Sequence, residues 1–132
     1  MRVLVDTSVW SLSLRKAGPA DHVAVRKLQV LLTGNEDLVL TGSILQEVLQ
    51  AFRDEPTARQ VAASLEPFPL LPLDRSHYAA AARLHRRCTA HGVAASTIDC
   101  QIAIAAAEHG CLLLTADEDF RRIRQHLPLQ LA

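Results

Sequence analysis

The chain has 132 residues, the length of one ordinary domain, and 49% of them are apolar while only 4% are aromatic, which predicts an aliphatic core. Charged residues make up 21% of the sequence, and this composition excludes a disordered chain. Fourteen Lys and Arg residues balance fourteen Asp and Glu residues, so the chain lacks the basic excess of a passive nucleic-acid binder. We therefore expect a single domain over residues 1–132.

Strands and helices are predicted to alternate along the chain. Three apolar runs without alternation predict buried parallel strands at residues 2–5, 38–41 and 111–114. Apolar residues spaced three and four apart, together with capping residues, predict the helices. In chain order the predicted helices cover residues 7–15, 19–33, 44–52, 57–65, 76–90, 97–109 and 118–126.

Single residues predict several helix boundaries. Pro19 and Asp21 begin the second helix, and Gly34 with Asn35 ends it in a left-handed cap. Ser43 is predicted to cap the third helix. The prolines at positions 67, 69 and 72 predict an extended segment instead of a helix.

Helices separate each predicted strand from the next, and no tight-turn signal such as Asn-Gly joins two strands as a hairpin. This order predicts parallel strands connected by helical crossovers. The expected fold class is therefore α/β, a three-layer α/β/α domain with a central parallel sheet. Residues 129–131 are predicted to add an edge strand.

The location of the protein is predicted from three features of the chain. No apolar run approaches the roughly 18 residues that a membrane span needs, and the first residues lack the apolar core of a signal peptide. Cys88, Cys100 and Cys111 are an odd and sparse set, which favours reduced thiols over disulfides. We expect a cytoplasmic protein that is not associated with a membrane.

Acidic residues end the predicted strands or begin the helices that follow. Asp6 ends the first strand, Asp117 follows the third, Glu47 lies in the helix after the second, and Asp99 lies in the first turn of a later helix. Because ligands bind outside the carboxyl ends of parallel strands, we expect all four to point into one cleft. Structural roles are the alternative, since Asp99 completes a Ser96-x-x-Asp99 capping box and Asp117 is placed to cap the last helix.

Four carboxylates within a few ångströms cannot all stay ionised without a cation. Oxygen ligands with no neighbouring His or Cys suit Mg²⁺ or Mn²⁺ better than Zn²⁺. A carboxylate-bound Mg²⁺ is an arrangement that hydrolyses phosphodiesters. A metal that neutralised these acids would leave the rest of the surface net basic, so a net charge of zero does not exclude a nucleic-acid substrate.

Four short blocks carry the acidic residues. They are Val-Leu-Val-Asp6-Thr7-Ser8-Val9-Trp10, Ser43-Ile-Leu-Gln-Glu47-Val, Thr97-Ile-Asp99-Cys-Gln-Ile-Ala and Leu-Leu-Thr115-Ala-Asp117-Glu-Asp119-Phe120. In this order and spacing they resemble the PIN-domain ribonucleases, and within that family the VapC-type toxins of VapBC toxin–antitoxin pairs. The blocks span residues 3–120, nearly the whole chain.

The resemblance implies a PIN fold and a Mg²⁺- or Mn²⁺-dependent endoribonuclease that is the toxin of a type II pair and is inhibited by a VapB-type antitoxin. The catalytic and metal-binding roles carry over to Asp6, Glu47, Asp99 and Asp117. Asp119 matches a further acid that contacts the metal through water or through another ligand, and Ser8 and Thr115 match hydroxyls that brace the acids. No acidic position of the family pattern is missing, which argues against an inactive relative.

Arg121, Arg122 and Arg124 follow the acids of the fourth block directly. They are either a solvated helix face or residues that bind RNA phosphates or antitoxin carboxylates beside the cleft. The resemblance also implies a homodimer, for which apolar stripes on the N-terminal helices and Trp10 would supply the contact.

Three other interpretations compete with the nuclease. Cys88-x-x-His91 with two further cysteines suggests zinc, but its spacing lacks a second paired motif and favours buried thiols. A phosphotransferase that uses Asp6 as nucleophile would need a second Asp two residues later, where this chain has Ser8. A non-catalytic module that only binds RNA or protein would not need the full acidic set.

Overall fold

The computed structural model describes residues 1–14 and 22–132, and its sheet has three parallel strands: β1 (Arg2–Val5), β2 (Asp37–Val39) and β3 (Leu112–Leu114). The strand order is β2–β1–β3, so β1 is central. Leu4 pairs with Val39 on one side and with Leu113 on the other. The sheet is thus built around the first apolar run of the chain, as predicted.

Seven helices lie in the described part of the chain. They are α1 (Thr7–Leu14), α2 (Val23–Thr33), α3 (Gly42–Gln50), α4 (Glu55–Leu65), α5 (Arg75–Ala90), α6 (Thr97–Glu108) and α7 (Asp119–Ile123). β2 lies on one side of β1 and β3 lies on the other. The crossovers from β1 to β2 and from β2 to β3 therefore run in opposite directions across the sheet. Since crossovers between parallel strands are right-handed, this reversal places helices on both faces of the sheet. The α/β/α architecture with a central parallel sheet is confirmed.

Short extensions widen the sheet at both edges. Leu70 forms a parallel bridge with Leu40 beside β2, and Leu131 forms one with Leu113 beside β3. The segment around Leu70 is the proline-rich stretch that was predicted to be extended, and Leu131 belongs to the predicted edge strand. Both expectations are confirmed, although each pairing is only a single bridge.

Several predicted boundaries are wrong. Thr41, not Ser43, caps α3, because the Thr41 hydroxyl accepts the Ile44 N–H at 3.1 Å. Gly34 has φ −95° instead of a left-handed conformation, so α2 ends without the predicted cap. The last helix is shorter than residues 118–126. The predicted end of the first helix at Arg15 and the start of the second at Pro19 and Asp21 lie outside the described residues.

The core is aliphatic, as the composition predicts. Its largest fully buried side chains include Leu4, Ile44, Leu84, Ile102 and Phe120. All three cysteines are buried and unpaired, and burial raises the pKa of each thiol. Among the described residues, the group of side chains close enough together to hold a metal ion contains no cysteine.

Trp10 and α2 bear on the predicted dimer contact. The Trp10 ring is buried and packs on Phe68 with ring centroids 5.6 Å apart, so it offers no surface for another chain. Val23, Val30 and Leu32 of α2 are instead exposed. None of the helices in the described ranges is long and apolar enough to cross a membrane.

Candidate functional site

Asp6 lies where β1 ends, and its backbone N–H still donates to the Leu114 carbonyl of β3 at 2.9 Å. The side chain is only 5% exposed. Its Oδ2 accepts hydrogen bonds from the Ser8 hydroxyl at 2.7 Å and the Thr115 hydroxyl at 2.9 Å. Burial raises the pKa of this carboxyl, and the hydrogen bonds oppose that rise only in part. Asp6 is therefore a carboxylate that gains from a nearby cation.

Ser8 and Thr115 join the ends of β1 and β3. The Ser8 hydroxyl accepts the Ala116 N–H at 3.0 Å, and the Thr115 hydroxyl accepts the Asp117 N–H at 3.0 Å. Each hydroxyl donates to Asp6 while it accepts from the loop after β3, so each fixes the loop relative to Asp6. Both residues have the geometry of the bracing role that the resemblance implied.

Asp99 approaches from the first turn of α6. It completes the predicted capping box, because the Ser96 hydroxyl accepts the Asp99 N–H at 3.0 Å and Asp99 Oδ2 accepts the Ser96 N–H at 3.4 Å. Burial raises the pKa of the Asp99 carboxyl, and the negative charges of Asp117 and Asp6 raise it further. The capping interpretation is confirmed, and the same carboxyl is close enough to Asp117 and Asp6 for their charges to act on it.

One carboxylate oxygen from each of Asp99, Asp117 and Asp119 lies within 4.8 Å of the other two. We call these three residues the acidic triad. Asp117 Oδ1 also accepts the Asp119 N–H at 2.9 Å, which fixes the two on one loop. Hard oxygen donors at this separation fit a divalent cation such as Mg²⁺ or Mn²⁺. The structure thus places a carboxylate oxygen of Asp119 within 4.8 Å of one from Asp99 and one from Asp117.

Glu47 lies outside the acidic triad and half-buried on α3, as its helix position predicted. Its Oε1 accepts a hydrogen bond from the Thr7 hydroxyl at 2.9 Å. Asp6 is likewise not a member of the acidic triad, although its charge acts on Asp99. Thr7 was predicted only as the first residue of the helix over 7–15, and its position next to Asp6 is the one sequence signal that could have indicated a role in the site.

The three arginines differ in their surroundings. Arg122 pairs with Asp119 at 2.9 Å, and Arg121 pairs with Glu118 at 3.0 Å. In the described part of the chain, no carboxylate lies within ion-pair distance of Arg124. A cleft of about 620 Å³ runs between α2 and α7, and Arg121 and Arg124 line it while Arg122 does not.

A second cleft, of about 580 Å³, borders the acids on their other side. The loop between α5 and α6 forms most of it, with Asp99 and Asp119 at its edge. Among the described residues that line it, none is Lys, Arg or His. The acids therefore lie between a cleft with cations and a cleft without them.

Comparisons with known proteins agree with this geometry. A family model described as the PIN domain matches residues 3–125. Ribonuclease VapC11 of Mycobacterium tuberculosis and a VapC ribonuclease of Mycobacterium bovis are each 30% identical over 132 residues, which covers 98% of this chain and 97% of the relative.

Solved structures share the fold at lower identity. VapBC2 from Rickettsia felis, bound to a DNA fragment from its promoter, superposes with a TM-score of 0.78 at 15% identity and covers 100% of this chain and 98% of that chain. FitAcB from Neisseria gonorrhoeae superposes with a TM-score of 0.73 at 23% identity and covers 98% and 95%. These likenesses show that the backbone arrangement around the acids is one that other chains also adopt.

Proposed function

Because this chain belongs to the PIN-domain family, and within it to the VapC group, we propose that it is an endoribonuclease and the toxin of a type II toxin–antitoxin pair. The two relatives are named ribonucleases, and the match covers nearly their full length. The site also has the acids that such chemistry needs. The catalytic unit would span residues 1–132.

The acidic triad is the observation that carries this proposal. Three carboxylates converge at the carboxyl ends of β1 and β3, where the direction of the crossovers reverses and α/β sheets bind their ligands. Burial raises the pKa of Asp99, and the charges of Asp117 and Asp6 raise it further, so a bound cation would reduce the repulsion among these acids. A structural role alone would not require this convergence.

Each acid has a defined place in the proposed reaction. Asp99, Asp117 and Asp119 would bind Mg²⁺ or Mn²⁺, with Asp6 behind them and fixed by its two hydroxyl partners. When bound, the metal would polarise the scissile phosphate and lower the pKa of an attacking water. Glu47 lies outside the acidic triad, so it remains available to orient that water and accept its proton.

The proposed partners follow from the relatives. Several structural neighbours are VapBC complexes, which supports a cognate VapB-type antitoxin as inhibitor of this chain. Val30 and Leu32, exposed on α2 and outside the lining of the cleft between α2 and α7, support a homodimer that covers them. We also propose that the protein acts in the cytoplasm, where its RNA substrate and its three reduced cysteines belong.

The direct test is cleavage of total cellular RNA by the purified protein with Mg²⁺, with Mn²⁺ and with EDTA. We expect cleavage with either metal and none with EDTA. Asp99→Asn should lower the rate at least about 100-fold, because the metal site loses a charged ligand. Asp37→Asn is the matched control, since Asp37 is exposed at the opposite end of β2 and should leave the rate unchanged.

Two outcomes would contradict the proposal. Equal cleavage by wild type and Asp99→Asn would show that the activity comes from elsewhere. Absence of both cleavage and Mn²⁺ binding would favour a non-catalytic module that binds RNA or protein.

A further inference from the structure

The cleft between α2 and α7 begins at the acidic triad. Asp117 belongs to both, and Thr115 and Ala116 line the cleft next to it. Leu113 and Leu114 of β3 also line this cleft, and Asp99 does not. A molecule bound at the acidic triad can therefore extend directly into this space.

Cations from two helices line this cleft. α2 contributes Lys27, and α7 with the residue after it contributes Arg121 and Arg124. Two acids also line it, Asp117 and Glu118, and Glu118 already pairs with Arg121. Arg124 thus lines the cleft with no Asp or Glu side chain within ion-pair distance among the described residues, and Lys27 likewise pairs with no Asp or Glu there but already donates to an oxygen of Ala132.

His22 adds a neutral donor to the same cleft. Its Nδ1 accepts the Ala24 N–H at 3.1 Å, so the ring proton lies on Nε2. Lys27 donates to a backbone oxygen of Ala132 at 3.2 Å, which keeps its ammonium at the cleft wall. The α2 side of the cleft therefore offers His22 and Lys27 in addition to the two arginines from the α7 side.

Given the nuclease activity proposed above, we propose that this cleft binds the sugar–phosphate backbone of the RNA on one side of the scissile bond, with Lys27 and Arg124 as phosphate-binding residues. Consecutive phosphates are one nucleotide apart, so a strand cleaved at the acidic triad must carry a neighbouring phosphate into an adjoining cleft. Of the two adjoining clefts, only this one is lined by cations among the described residues. Backbone contacts of this kind are independent of base sequence.

Arg122 is not among the residues that we propose to bind the RNA. Its guanidinium pairs with Asp119 and does not line the cleft. Arg122 thus neutralises one acid of the triad, while Arg124 faces the substrate. Of the three arginines that follow the fourth sequence block, Arg124 is the main phosphate ligand, and Lys27 joins it from a distant part of the chain.

The test is binding of a fluorescein-labelled, single-stranded 20-nucleotide RNA of mixed sequence, measured by fluorescence anisotropy in EDTA so that cleavage is not required. Lys27→Gln and Arg124→Gln should each raise Kd about fivefold, and the double variant about 25-fold. The slope of log Kd against log salt should fall by about 0.7 for each cation removed. Lys27→Arg should bind like wild type, because it keeps the charge.

Arg75→Gln is the matched control. Arg75 is exposed at the start of α5, where the neighbouring His77 ring stacks on His109 at the opposite end of α6 from Asp99. It should leave both Kd and the salt slope unchanged. Unchanged binding in the double variant, or an equal loss in Arg75→Gln, would overturn the proposal. Unchanged RNA binding with weakened binding of a Glu-rich peptide would overturn it too, and would assign the cleft to a protein.

The outcome is separable from that of the nuclease proposal. RNA binding that depends on Lys27 and Arg124 without any cleavage would support the cleft and contradict the nuclease. Cleavage by a double variant with wild-type KM would support the nuclease and overturn the cleft assignment.

Discussion

Asp6 and Asp99 are carboxyls that the folded chain makes costly to ionise. Burial is the main cause for both, and for Asp99 the charges of Asp117 and Asp6 add to it. The hydroxyls of Ser8 and Thr115 limit the cost for Asp6 without removing it. A buried carboxyl of this kind is expected where the functional protein binds a cation nearby. An apolar residue at the same position would lower the free energy of folding further if no cation were bound.

The raised pKa of Asp99 predicts how its contribution to stability varies with pH. A carboxyl with a higher pKa in the folded state binds more protons folded than unfolded, so the free energy of unfolding decreases as pH rises from its ordinary value of 3.8 through the raised pKa. In EDTA at pH 7, Asp99→Asn should therefore have a higher Tm than wild type. The difference should shrink toward zero below pH 3.8, and a difference that is constant with pH would contradict this account.

Thr7 is predicted to position Glu47. Thr7→Val keeps the shape of the side chain but removes the hydrogen bond to Glu47, and it should lower kcat about tenfold with little change in KM. Thr7→Ser keeps the hydroxyl and should restore most of the rate. Steady-state kinetics on the mapped RNA substrate measure both. If Thr7→Val and Thr7→Ser have the same kcat, the Thr7 hydroxyl has no role in positioning Glu47.

Among the secondary-structure elements, α6 contributes both to the stability of the fold and to the candidate site. Its first turn carries Asp99, and its capping box fixes where that turn begins. α5 has a capping box of the same type at Asp74, but the start of α5 lies at the other end of the helix pair, where His77 stacks on His109. The two caps are therefore structurally equivalent and differ in their distance from the acids.

This equivalence yields a paired prediction. Ser96→Ala should lower the free energy of unfolding by about 1 kcal/mol and also weaken Mn²⁺ binding, because Asp99 loses its fixed backbone. Asp74→Ala should lower the urea midpoint as well, but leave Mn²⁺ affinity unchanged. Urea unfolding and metal titration separate these effects. Equal Mn²⁺ affinity in all three proteins would show that the α6 cap serves the helix alone.

The sequence predicted the order of the elements better than their ends. Apolar runs and capping residues are local signals, and they placed β1, α5 and the Ser96–Asp99 box correctly. The cap of α3 was misplaced because Thr41 and Ser43 are chemically equal candidates, and the backbone geometry after β2 decides between them.

Contacts between side chains that are distant in the sequence could not be predicted, because the local patterns that locate helices and strands do not determine them. Asp6 and Asp117 could be found because each follows a strand, and parallel strands bring their carboxyl ends together. The bond from Thr7 to Glu47 and the pair of Arg122 with Asp119 depend on side-chain directions that no periodicity encodes. The role of Lys27 depends on how α2 packs beside α7, which the sequence pattern leaves open.

At the scale of the whole molecule, metal binding should stabilise the fold. A ligand that binds only the folded state adds about 2.7 kcal/mol to the free energy of unfolding at 100 times its Kd. Mn²⁺ should therefore raise Tm in wild type and in Asp37→Asn, with reversal by EDTA, and raise it much less in Asp99→Asn. A thermal shift series measures this. An equal rise in Asp99→Asn would place the metal outside the acidic triad.

The central position of β1 has a consequence for synthesis. Thr115, which bonds to Asp6, lies 109 residues later in the chain. During translation β1 leaves the ribosome long before β3, so the nascent polypeptide carries Asp6 without the partners that complete the site. Whatever chemistry the site performs therefore begins only after Thr115 and the acids that follow it have emerged, and a partner that binds β1 or α1 can reach the polypeptide before the site is complete.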